Sequence, residues 1–262
     1  MKKLLTLLVA VMLLSGAMGV GKAQAYSFPV GDIKFLMDGY SYFYQVATDE
    51  GDSELRGVFN IARYQFEGSE YPTLVPEINI RFGGLKEEID IISGGGTGYF
   101  SGGWAEMYFN EVGTYQAALN TINTTSLAGS TVFNSKDFAL EFVTAPLILG
   151  LEFAHIYEGG QYSFKTLYDS IDNEYKNNAY LNAIDGLYLT SFDTNTRFGG
   201  TDLSFSAITT LSGLLNSQLQ ILKFDTESSS VTGHVVPEPG TILLLGAGLL
   251  GLAATARRRT RN

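Results

Sequence analysis

Between about Tyr26 and Val236 the chain is built from short apolar or alternating runs, broken by Gly, Asp and Asn turn-formers at intervals of about ten residues. This rhythm limits the fold more than any other feature. Alternation places successive side chains on opposite faces of a strand, and nothing in the body has the βαβ cadence of a parallel sheet. Strands are expected at 40–48, 54–66, 77–82, 88–92, 103–109, 137–144, 148–155, 188–192, 202–207 and 218–224, with turns at 49–52, 94–98, 158–160 and 193–195. Two short helices interrupt them. Tyr115, Leu119 and Ile122 recur at helical spacing after Thr114, a good N-cap, and Leu211, Leu214 and Leu215 suggest a second. The reading is a mainly β fold, an antiparallel β-sandwich or jelly roll with one or two short helices.

The two ends carry signals of a different kind. Lys2 and Lys3 precede an apolar run from Leu4 to Leu14, and Ala23-Gln24-Ala25 supplies the small residues a signal peptidase needs, with cleavage before Tyr26. At the other end Pro237-Glu238-Pro239 is followed by an uncharged span, 241–256, and by Arg257-Arg258-Arg259. A helix of sixteen residues is about 24 Å long at ~1.5 Å per residue, short of the ~30 Å hydrocarbon core. Such a helix holds a chain in a membrane transiently, and the arginines stay on the cytoplasmic side by the positive-inside rule. The expected organisation is a signal peptide over 1–25, an extracellular domain over 26–232, and a linker with a hydrophobic sorting helix over 233–262.

Motif, span and basic end, in that order, resemble the PEP-CTERM sorting signal of exported bacterial proteins. The resemblance implies an exosortase that recognises Pro237, Glu238 and Pro239, with Arg257, Arg258 and Arg259 as retention elements. It also implies a Gram-negative host that makes extracellular polysaccharide, passage through the inner membrane, and residence at the cell surface or in the matrix. A second resemblance lies in the body. Residues 54–59, and 180–186 with 192–195, look like segments of flocculation-associated PEP-CTERM ectodomains, implying a structural or adhesive role in exopolysaccharide, floc or biofilm.

The body is strongly acidic. It holds 10 of the 17 Lys and Arg and 26 of the 27 Asp and Glu, a net charge of −16. Nucleic acid is thereby disfavoured as a partner, since it wants a basic footprint. The absence of cysteine removes disulfides and thiolate metal sites. Only two histidines are present. His155 ends an apolar run and reads as a structural residue, and His234 falls just before the Pro-Glu-Pro, so neither a Ser-His-Asp hydrolase nor a His-rich metal site is expected. Gly94–Gly98 lacks the Lys-Ser/Thr pair of a phosphate loop and reads as a turn. The echo of Arg81-Phe82-Gly83-Gly84-Leu85 in Arg197-Phe198-Gly199-Gly200 reads as repeated turn chemistry rather than two half-domains.

Two binding sites are expected instead. Asp49, Asp52 and Glu54 surround Gly51 in a loop whose oxygens suit Ca2+, although the spacing is not that of an EF-hand. Trp104 and Tyr108 fall on one face of a strand and would present stacking surfaces to a glycan. The function expected is that of a non-enzymatic matrix component. A carbohydrate- or calcium-binding module is the alternative, and a glycosidase using paired carboxylates comes after it.

Overall fold

The computed structural model describes residues 28–44, 53–72, 77–90, 96–127, 138–216, 221–237, 246 and 248–250. Ten antiparallel strands carry the fold: β1 (Gly31–Tyr44), β2 (Glu54–Phe66), β3 (Ser69–Pro72), β4 (Glu77–Ile89), β5 (Thr97–Asn110), β6 (Leu147–Phe153), β7 (Phe164–Asp169), β8 (Glu174–Asp185), β9 (Leu203–Asn216) and β10 (Ile221–Val235). Helix α1 (Thr114–Leu127) and the single turn α2 (Leu189–Phe192) complete it with two 3-10 turns.

The sheet order runs β1-β10-β9-β8-β6-β5-β4-β2, and β1 pairs with β2 as well as with β10. That second pairing closes the sheet into an eight-stranded barrel and corrects the expectation of a sandwich or jelly roll. The error has a simple cause. Alternation shows that one face of each strand is buried, and both architectures satisfy it equally; only the pairing of β1 with two neighbours distinguishes them. Closure also leaves the principal strands without free edges. Between β5 and β8 the wall is shared: β6 pairs with Trp104–Tyr108 of β5, and β7 pairs with Thr97–Phe100.

Inward side chains alternate along the barrel strands, with the phase shifting at bulges. Ile33, Phe35 and Met37 of β1 meet Phe59 and Ile61 of β2, and the ring of contacts continues through Ile80, Met107, Leu149, Leu181 and Phe205 to Val231 of β10. An eight-stranded barrel is just wide enough for such side chains to fill. The end at which β1 starts and β10 stops is plugged. Phe192, from α2, is fully buried, and Phe28 packs edge-on against it and against Phe35. Val236 N–H donates to Ser191 carbonyl at 2.9 Å, tying the exit of β10 to the plug.

A second cluster lies outside the wall. Ala118, Leu119 and Ile122 of α1 join Phe138 and Phe142 against Tyr42, Val58 and Tyr108. The helix after Thr114 is therefore present as expected. Three other expectations are corrected. Residues 140–144 form a 3-10 turn, because Phe138 and Phe142 both dip into this outer cluster. Residues 188–192 form the plug helix rather than a strand. The leucine-rich segment at 211–215 continues β9 rather than forming a helix, paired with β10 at Leu211, Gly213 and Leu214.

Candidate functional site

Among the described residues the end opposite the plug is open. A cavity of about 500 Å3 enters the barrel there, within the range that accommodates a small-molecule ligand. Its floor is aromatic: Phe59 stacks on Phe82 at 5.7 Å, Phe100 meets Phe164 edge-on at 5.5 Å, and Phe205 closes the ring at 5.9 Å from Phe59. Phe43, Leu222 and Phe224 form the upper wall, and Tyr175 packs edge-on against Phe224 at 5.1 Å. Polar side chains reach inward among them. Asn177 Nδ2 donates to Thr209 Oγ1 at 2.9 Å, while Ser41 and Thr166 add hydroxyls. Glu87 and Asp90 supply two carboxylates at the lip. Burial, and secondarily the charge of Asp90, pushes the Glu87 carboxyl above its ordinary range.

Glycines on β2, β4 and β5 shape this volume. Gly57 faces inward, and the Phe82 ring lies over it where a Cβ would stand. Gly84 (φ +72°) lets β4 and β5 bulge beside Gly103 (φ +101°), so that β4 continues to the lip through Leu85 and Glu87. The repeated Arg-Phe-Gly-Gly segments are unlike in structure: Phe82 is in the core, whereas Phe198 is 68% exposed on a 3-10 turn.

The residues chosen from sequence lie elsewhere. Trp104 and Tyr108 do share the outer face of β5, as their spacing required, but they belong to an ionic cluster. The Arg81 guanidinium sits 5.1 Å from the Trp104 ring and 5.9 Å from that of Tyr108. Arg81 also pairs with Glu106 at 2.7 Å and donates to the buried Phe138 carbonyl at 2.8 Å. Tyr108 is almost wholly buried and donates to Glu106 at 2.6 Å; burial first, and then this carboxylate, push its hydroxyl up to about 12. Asp49 and Asp52 lie outside the described residues. Glu54 accepts from Arg56 through both oxygens, at 2.8 and 2.7 Å, and from the Gly84 N–H, so both oxygens are engaged within the wall. His155 is exposed beside the Gln161 carbonyl, and His234 stands within β10, 3.1 Å from Asp32. Sequence reasoning missed every cavity residue. The available signal was the number of phenylalanines at alternating positions, but a cavity assembled from eight strands has no local spacing.

The chain leaves the barrel at Val235, and Pro237 is exposed; Ala23, Ala25, Glu238, Pro239 and the three arginines lie outside the described residues. A family model for the PEP-CTERM protein-sorting motif matches residues 235–259. The chain carries a PEP-CTERM sorting motif. An exported protein sorted through exosortase follows from it, with residence in the cell envelope or at the surface. The PEP-CTERM match begins on the last residue of β10, so the recognised segment follows the barrel without a separating domain. It does not extend to the body segments likened to flocculation proteins. Comparison with curated proteins and with solved structures gives no match. No helix among the described residues is long and apolar enough to cross a membrane, and most of the 241–256 span lies outside them.

Proposed function

We propose that this PEP-CTERM protein is an exported binding barrel of the cell envelope or surface, which holds a small, largely apolar molecule in its open end. The observation that carries this reading is the cavity of about 500 Å3, floored by five phenylalanines and lipped by hydroxyls and carboxylates, in a barrel whose other end is closed. A folded chain of this size has no packing reason to leave such a volume unfilled, because empty interior forfeits dispersion contacts on every side. The matrix role implied by the tail is compatible as a setting, but the barrel adds binding to it rather than adhesion.

Uptake of the neutral fluorescent probe N-phenyl-1-naphthylamine by the exported protein, recovered without its signal peptide, tests the proposal. Saturable enhancement near one probe per chain is expected. Leu222→Trp, which fills the upper wall while remaining apolar, should weaken uptake about tenfold with an unchanged circular dichroism spectrum. Absence of saturable uptake by the unaltered protein would overturn the reading.

A further inference from the structure

The alternation that builds the cavity also sorts charge at its mouth. Glu87 pairs with Phe100 in the β4–β5 register, and both face inward. The basic residues on the same strand ends all fall on the other parity. Arg56 is outside and bound to Glu54 at 2.7 Å; Lys165 lies over the outer ring of Tyr99 at 5.6 Å; Lys176 pairs with Asp169 at 2.8 Å; and Lys223 lies over Tyr40 at 3.9 Å. Lys86, next to Glu87, is exposed. No Lys, Arg or His lines the cavity among the described residues. Nor does any hydrogen bond or ion pair within them take up the Glu87 carboxylate. A half-buried carboxylate above an aromatic well, with every nearby cation turned outward, is therefore left for something that enters the well.

We infer that the ligand is an amphiphile with a cationic head, an alkyl or aryl amine, whose apolar part lies on the phenylalanine floor and whose ammonium meets Glu87 at the lip. An anionic head of the same length would place like charges together in a partly desolvated site, and that juxtaposition is strongly unfavourable. An alcohol head, neutral and able to bond Thr209 or Asn177, falls between. This inference rests on the binding reading above and extends it to ligand class.

Displacement of bound N-phenyl-1-naphthylamine from the exported protein by dodecylamine, dodecanol and dodecanoate, all below their aggregation concentrations at pH 7.5, provides the test. Dodecylamine should displace the probe at a concentration about tenfold lower than dodecanoate, equivalent to about 1.4 kcal/mol. Glu87→Gln should bring the two within about threefold, and Glu87→Lys should reverse their order. Glu88→Gln, at the exposed neighbouring position, should leave the preference intact; that separates a defined head site from general attraction to an acidic protein. Equal displacement by all three heads, or a preference indifferent to Glu87→Gln, would overturn the inference while leaving the cavity a binding site. Failure of the probe itself to bind would instead remove the reading beneath it.

Discussion

Glu87 couples the mouth of the barrel to pH. Its carboxyl is raised first by desolvation and then by Asp90, so the folded chain holds a proton that the unfolded chain has already released. The unfolding free energy then falls as pH rises from the ordinary carboxylate value through the raised one, because the folded state binds more protons across that window. Glu87→Gln removes this loss. Its melting temperature should exceed that of the parent at pH 7.5 and converge with it at pH 3.5, below both values, as read by thermal denaturation. A variant less stable than the parent at pH 7.5 would show that the carboxylate is stabilised in the folded state instead. On the outer wall Arg81 holds a different kind of charge, satisfied by Glu106 and the Phe138 carbonyl. This contrast between an engaged cation and an unengaged anion was not legible in the sequence. Arg81 and Glu87 sit six positions apart on one strand, and only the Gly84 bulge between them places them on opposite faces.

At the scale of elements, two inward glycines on neighbouring strands make opposite predictions. A Cβ at Gly39 of β1 would strike the backbone of β2, at Val58 carbonyl and 2.8 Å from Phe59 Cα. Backbone cannot step aside without opening the β1–β2 seam that closes the barrel, so Gly39→Ala should cost about 3 kcal/mol in urea unfolding. At Gly57 the obstacle is the Phe82 ring, which can swing toward the cavity. Gly57→Ala should cost no more than about 1–2 kcal/mol, yet shrink the well and weaken probe uptake several-fold. Similar losses from both would show that Phe82 is as fixed as backbone. The strand at 54–66 was legible to the residue, because large apolar side chains mark its alternation. β8 was not: its inward positions are Tyr175, Asn177, Ala179, Leu181 and Ala183, small or polar for the most part, and asparagine is a poor strand former. β7, paired to it, was missed with it. The helix assigned at 211–215 failed because helical spacing of three leucines is weak evidence against twelve registered pairs with β10.

Taken whole, the molecule has two unlike ends. The chain enters and leaves the barrel at the plugged one, where Phe28 packs on Phe192 and Val236 is tied to Ser191. The segment matched by the sorting motif starts there as well. The mouth, bounded by the β7–β8 turn and the adjoining strand ends, lies at the far end of the barrel axis. We propose that a chain tethered by this tail turns the cavity outward, where a ligand can exchange with the surroundings rather than with the supporting surface. The absence of cysteine makes this directly measurable. Ile171→Cys, 92% exposed on the mouth turn, and Leu187→Cys, 65% exposed beside the plug, can each be labelled with a bulky polyethylene-glycol maleimide. In membranes carrying the uncleaved chain, Ile171→Cys should react several-fold faster than Leu187→Cys. In protein released from its tail the two rates should approach each other. Equal rates in the tethered form would place the barrel on its side and free the mouth from any fixed direction; a faster Leu187→Cys would turn it toward the membrane, and the supply of ligand would then have to come from the bilayer.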